Sequence, residues 1–175
     1  MHERPPLVTV AVPNYRHARY LKERLESIAN QTFTDVEVLL LDDASPDESL
    51  KILTEFAAER PGWSVHPNDQ NSGSPFAQWN KAAALARGTY LWIAESDDVA
   101  DPRLLEVLVR ELESDPGLGI AYAQSMLIDE QGTALHTFDV HYRYVYGDEA
   151  QRWERGYRNN GEDEIRQYML LHNVV

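Results

Sequence analysis

The stretch Tyr90-Leu91-Trp92-Ile93-Ala94-Glu95-Ser96-Asp97-Asp98 decides the fold. Its run of apolar and aromatic residues ends abruptly in acid, which reads as a buried strand delivering carboxylates to its carboxyl end. In an open parallel sheet, ligands bind in the crevice outside those ends. The two aspartates are not needed as helix caps, because Asp101-Pro102 already supplies a helix start, with Asp101 as cap and Pro102 in the first turn. Asp97 and Asp98 are therefore available to meet a cation or a cation-bound phosphate.

Upstream of that strand the chain repeats one unit. Leu7 to Val12 is a β-branched run that predicts a first strand, left by the loop Pro13-Asn14-Tyr15, and Leu21, Leu25 and Ile28 then recur at helical spacing over about Arg19 to Asn30. Val36 to Leu41 predicts the second strand, closed by Asp42-Asp43-Ala44-Ser45, and Leu50, Leu53 and Phe56 mark a helix that ends before Pro61-Gly62. Trp63 to His66 is a short third strand. A polar loop, Asn68 to Gly73, leads to a helix opened by Ser74-Pro75 and stopped at Gly88. Strand, loop and helix alternating in this way predict an α/β fold whose sheet is mostly parallel, with helices on both faces.

Downstream, Leu104, Leu105, Val107 and Leu108 predict a helix, Gly119 to Ala123 a further strand, and Asp129-Glu130-Gln131-Gly132 a hairpin turn between Met126-Leu127-Ile128 and Ala134-Leu135-His136. Beyond Asp139 periodicity fades, and His141 to Gly161 reads as a mobile surface excursion before helical character returns from Ile165 to Leu171. The expected division is a core over residues 1–140 and a second region over 141–175.

Composition narrows the function. With 29 Asp and Glu against 16 Lys and Arg, the 175-residue chain carries a formal charge of -13, which repels phosphate backbones and argues against a nucleic-acid partner. An acidic protein that handles an anionic ligand needs local compensation, which a divalent cation provides. The absence of cysteine excludes disulfides and thiolate metal sites. No apolar run is long enough to cross a bilayer and Met1 to Pro6 lacks the apolar centre of a signal peptide, so a cytoplasmic location is expected. The sequence stops within the apolar run Tyr168 to Val175, as a fragment of something longer would.

Three elements follow predicted parallel strands and so share one rim of the sheet: Pro13-Asn14-Tyr15, Asp43, and Asp97-Asp98. A ring beside a carboxylate suits a nucleobase, with Tyr15 as stacking face and Asp43 accepting a base N–H. The ordinary readings are that Tyr15 merely packs and that acids at strand ends merely cap.

Val-Pro-Asn-Tyr, Leu-Asp-Asp-Ala-Ser-Pro-Asp, Asn-Ser-Gly, Gln-Trp-Asn-Lys and Ala-Arg-Gly-Thr-Tyr leading into Glu-Ser-Asp-Asp, in this order from Leu7 to about Leu108, resemble the family 2 inverting glycosyltransferases of the GT-A fold. The resemblance implies a nucleotide-sugar donor, a UDP-sugar above others, and a glycan or lipid-linked acceptor reached at a membrane surface. It places Pro13, Asn14 and Tyr15 around the base, Asp43 on the base, and Asn71 and Gly73 in the family's Asn-x-Gly loop. It makes Asp98 the direct ligand of Mn²⁺ or Mg²⁺, with Asp97 nearer the ribose or sugar. Asn80 matches a further position and Lys81 is within reach of a phosphate, although a structural bond and a solvated surface lysine are the plainer readings; Trp79 reads as core. The family's catalytic base lies downstream, expected past Val175, and Asp163 in Glu162-Asp163-Glu164 is a weak substitute that a helix N-terminus explains as well. A non-catalytic donor-binding or scaffolding module and a Mg²⁺-dependent receiver domain are the competing readings.

Overall fold

In the computed structural model, which describes residues 4–166, four strands form one parallel sheet in the order β3-β2-β1-β4. They are β1 (Val8–Asn14), β2 (Val36–Asp42), β3 (Trp63–Pro67) and β4 (Tyr90–Ile93). Helices α1 (Ala18–Ala29), α2 (Ser49–Ala58) and α3 (Pro75–Leu85) connect them, and α4 (Leu104–Ser114) follows. The expected mostly parallel α/β architecture is present, within a residue or two at each boundary.

Right-handed crossovers explain which helix covers which face. From β1 the chain steps outward to β2 and β3, so α1 and α2 share a face; it then crosses back past β1 to β4, which sends α3 to the other. Strand parity agrees. Ala82 of α3 packs with the odd-numbered Ala11, Leu39 and Leu41, whereas Arg24 of α1 lies over Trp92, which is in register with the even-numbered Val10. Between β1 and β4 the strand order reverses, and such a switch point opens a crevice at the carboxyl ends.

Pro13 and Asn14 belong to β1 rather than to the loop after it, in register with Leu41 and Asp42. A proline is tolerated there for a geometric reason. The Ala11 carbonyl accepts from Ala94 N (2.8 Å), so odd-numbered residues of β1 turn their backbone groups toward β4. Two residues on, Pro13 has no β4 partner, because the pairing with β4 ends at Ala11.

Contacts divide the chain into two compact units, Met1–Glu106 and Val107–Val175. In the second, β5 (Met126–Ile128) and β6 (Ala134–Thr137) form the expected antiparallel hairpin, turned by Asp129, whose Oδ1 accepts from Gln131 N and Thr133 N. The strand expected over Gly119 to Ala123 does not form; that segment is irregular. The excursion expected after Asp139 is instead structured, as α5 (Asp139–Tyr146) and a 3₁₀ helix over Gly147–Glu154. Its nucleus is Tyr142, Ala150 and Trp153, bordered by Tyr122, Phe138, Tyr146 and Tyr157. The acidic cluster starts a one-turn helix, α6 (Gly161–Glu164), capped by Asn160. Past residue 166 the helical stretch expected to Leu171 lies outside the described residues.

Candidate functional site at the strand ends

Hydrogen bonds tie the three predicted rim elements together. Asn14 is buried and its Nδ2 donates to Asp42 Oδ1 (2.8 Å) and Ser45 Oγ (3.1 Å), while its carbonyl accepts from Asp43 N (2.9 Å). Asp42 Oδ2 accepts from Ser45 N (3.0 Å), so the first acid of the pair shapes the turn and leaves the second to face the loop beyond β3. On the other side, His17 Nδ1 meets Ser96 Oγ at 2.7 Å, which joins the β1–α1 loop to the acidic turn after β4. Tyr15 projects from this junction, 41% exposed, with Arg16 beside its ring.

Asp43 is 4% exposed and its carboxylate is thoroughly engaged. Oδ1 accepts from Asn68 Nδ2 (2.6 Å), Ser72 N (3.0 Å) and Gln78 Nε2 (2.8 Å); Oδ2 accepts from Ser72 Oγ (2.8 Å) and Asn71 Nδ2 (3.2 Å). Asn71 also closes its own loop by accepting from Gly73 N (2.8 Å). Gly73 is required by its backbone, at φ +69, a conformation that a side chain disfavours. Both oxygens are thus taken by the loop and α3, and a further N–H would reach this carboxylate only by displacing one of those donors.

The acidic turn is held from both faces. Trp79, expected in the core, is only half-buried, and its indole N–H donates to Glu95 Oε1 at 2.9 Å. Phe76 packs edge-on against it, 63% exposed. Burial pushes the Glu95 carboxyl up against the Trp79 bond, aided by Asp97 and Asp98. Burial also raises Asp98, with Arg24 opposing and Asp97 assisting. Lys81 is not a solvated lysine: its Nζ donates to the His66 carbonyl (2.8 Å) and Asn68 Oδ1 (2.6 Å). Asn80 is exposed on α3.

The carboxylates of Asp97 and Asp98 accept no hydrogen bond among the described residues and belong to exposed residues. Two adjacent acids with open lone pairs, one raised by burial and its neighbour's charge, suit a hard divalent cation. Among the described residues no group of three or more potential ligands gathers, so the protein would supply only part of a shell. Asp163 lies in the second unit, where its backbone N–H donates to the Asn160 cap (3.3 Å), the helix-start role. That unit also holds a cavity of about 970 Å³ lined by Tyr122, Tyr142, Trp153 and Tyr157, and no rim residue lines it.

His17, Ser96, Gln78 and Glu95 are the residues that sequence reasoning missed. Glu95 carried a signal, being the first acid after the strand. The other three are common polar residues whose roles appear only once distant segments meet.

The parallel sheet with polar and acidic groups gathered outside its switch point is an α/β fold of the GT-A type, as the solved structures it matches show. The model of glycosyl transferase family 2 matches residues 9–167, and the chain belongs to that family. It is similar to the chondroitin synthase of Escherichia coli, 35% identical over 133 residues, which are 76% of this chain and 19% of that protein. An uncharacterized glycosyltransferase of Methanocaldococcus jannaschii is 33% identical over 76% of this chain and 46% of its own. The chain therefore spans from about a fifth to under half of these relatives. Among solved structures, a mannosyltransferase of Pyrobaculum calidifontis in complex with GDP-Man and Mn²⁺ matches with TM-score 0.60 and 25% identity, over 74% of this chain and 37% of that one. Staphylococcus aureus TarS 1-349 with UDP-GlcNAc matches with TM-score 0.58 and 24% identity, over 69% and 40%, and shares the fold. Among the described residues, no helix is long and apolar enough to cross a membrane.

Proposed function

We propose that the rim binds a nucleotide-sugar donor, a UDP-sugar above others, for metal-assisted transfer of the sugar to a hydroxyl of a glycan or lipid-linked acceptor. The observation that carries this reading is the stitching of three strand ends around the switch point, through Asn14–Asp42, Asp43–Asn14 and His17–Ser96, beside two carboxylates that accept no described bond. Tyr15 offers a stacking face, and Asp43 would accept a base N–H in place of one of its loop donors; the loop of Asn71 and Gly73 lies over Asp43 on that side. Asp98 would hold Mn²⁺ or Mg²⁺, with Asp97 toward the ribose or sugar, and the cation supplies neutralisation of charge on the leaving diphosphate. An inverting displacement also needs a general base on the opposite face, and no rim residue is assigned to it.

Calorimetry with UDP and GDP, with and without Mn²⁺, on the wild type and Asp98→Ala tests the reading. Wild type is expected to bind UDP with Mn²⁺ at least roughly tenfold more tightly than the variant does, the scale of a lost charged ligand. Equal affinity in all four combinations of protein and metal would overturn the cation site. Family membership displaces the receiver reading; transfer activity on glycan acceptors separates an enzyme from a binding module.

A further inference from the structure

Helix α1 presents an unusual polar stripe to the acidic turn. His17, Arg24 and Gln31 are each seven positions apart, two helical turns, and so lie along one side of the helix and its ends. His17 holds Ser96. Gln31 holds the far end of the same segment, its Nε2 donating to the Asp101 carbonyl (2.7 Å) and its Oε1 accepting from Leu105 N (3.0 Å). Ser27, on the same side, accepts from Ala100 N (3.3 Å). The segment from Ser96 to Leu105 is thus pinned to α1 along its length, with Arg24 in the middle.

Arg24 differs from its neighbours in having, among the described residues, no comparable bond to explain it. Only 2% of it is exposed, its buried Nε has no hydrogen-bond partner among the described residues, and its guanidinium lies 4.9 Å from the centre of the Trp92 ring. A buried cation is costly unless it meets negative charge. Burial is the largest influence and holds the guanidinium down to about 10, and the charges of Asp98, then Glu95 and Asp97, oppose it in part. Trp92 supplies a π face on one side, and the acidic turn supplies the anions.

We infer that Arg24 is an internal counter-cation which stands in for the divalent ion when the acidic turn is empty, holding Asp97, Asp98 and Glu95 together and setting how tightly the turn takes a metal. This rests on the proposed cation role of Asp98. Three carboxylates on one short turn repel one another, and a cation fixed behind them relieves that repulsion without occupying the open side. The same fixed charge competes with an arriving cation and keeps its binding loose enough to be reversible. Arg24 touches no reacting atom in this scheme; it is a positioning residue.

The test is Arg24→Met, which keeps bulk and removes charge, with Mn²⁺ affinity read by electron paramagnetic resonance of free Mn²⁺ and melting read with and without Mn²⁺. The variant is expected to bind Mn²⁺ roughly tenfold more tightly, since a positive charge acting on Asp98 is gone. Saturating Mn²⁺ should raise the melting temperature of the variant more than that of the wild type, whatever their metal-free values. Unchanged or weaker Mn²⁺ binding by a folded Arg24→Met would overturn the inference. Should that variant not fold, Arg24→Lys and Arg24→Gln decide: the charged lysine is expected to keep Mn²⁺ binding near that of the wild type and the neutral glutamine to tighten it roughly tenfold, and equal binding by the two would refute the counter-charge. If wild type binds no Mn²⁺ at all, the cation reading of Asp98 fails by itself; the counter-charge is then read from Asp98→Asn made in the wild type and in Arg24→Met, whose melting change is expected to be less favourable where Arg24 is present, and equal changes would refute the pairing.

Discussion

At Gly88 a methyl group has no room: a Cβ there would stand 2.5 Å from the Thr9 nitrogen and 2.7 Å from the Val8 carbonyl carbon. Those atoms belong to β1, which lies between β2 and β4 and cannot move aside. Gly88→Ala is therefore expected to lower stability by about 1–3 kcal/mol, the cost of overpacking, seen as a lower urea midpoint with an unchanged slope. Sequence reasoning took Gly88 for a helix stop, whereas its closest constraint is the approach to β1. Single residues were legible where chemistry stood out against its surroundings, as with two aspartates after an apolar run. They were not where the role depends on a partner far along the chain. The Asp42-Asp43 pair in the sequence does not say which acid shapes the turn; the Ser45 and Asn14 contacts show that Asp42 does.

The loop over Asn68 to Ser74 behaves as an element built on one side chain. Asp43 receives Asn68, Asn71, Ser72 and Gln78, so its two oxygens hold both the loop and the first part of α3. In Asp43→Asn, one acceptor becomes a donor facing other donors. The expected loss is about 1–3 kcal/mol for leaving buried partners unsatisfied. Amide exchange should quicken in the loop around Ser72 and Gly73 more than in β1 and β2; uniform acceleration across the sheet would show that Asp43 is not specific to the loop. Elements themselves were readable where periodicity persisted: the four parallel strands and three connecting helices each carry an unbroken pattern of apolar residues between turn signals. Gly119 to Ala123 has β-forming composition, but a strand needs a neighbour, and among the described residues none pairs with it. The segment after Asp139 hid its structure because a 3₁₀ helix repeats every three residues and buries little beyond Ala150 and Trp153.

Across the sheet unit as a whole, stability and function occupy opposite ends. The carboxyl ends hold the proposed site, while at the amino ends Glu37 ties β2 to two other segments by accepting three bonds: from the Thr9 hydroxyl (2.7 Å), the Arg87 backbone N–H (2.8 Å) and the Arg87 guanidinium (2.6 Å). Burial alone would raise the Glu37 carboxyl; the bonds from Thr9 and Arg87 and the Arg87 charge outweigh it and hold it below its ordinary 4.5. A carboxyl lowered in the folded state binds its proton more readily when unfolded. Its stabilisation is therefore complete above pH 4.5 and is lost as pH falls through the lowered folded value. Glu37→Gln should cost about 1–3 kcal/mol at pH 7, as expected for a buried bonded group made mismatched. Asp47 and Asp129 are also held low and will soften both proteins in acid, so the informative quantity is the difference between wild type and variant. Urea unfolding followed by circular dichroism should show that gap constant from about pH 6 to 8 and narrowing below about pH 4.5, the range set by an ordinary glutamate. A gap of the same size at pH 3 and pH 7 would mean that Glu37 keeps its unfolded proton affinity in the fold, and that shape rather than charge holds the three segments together.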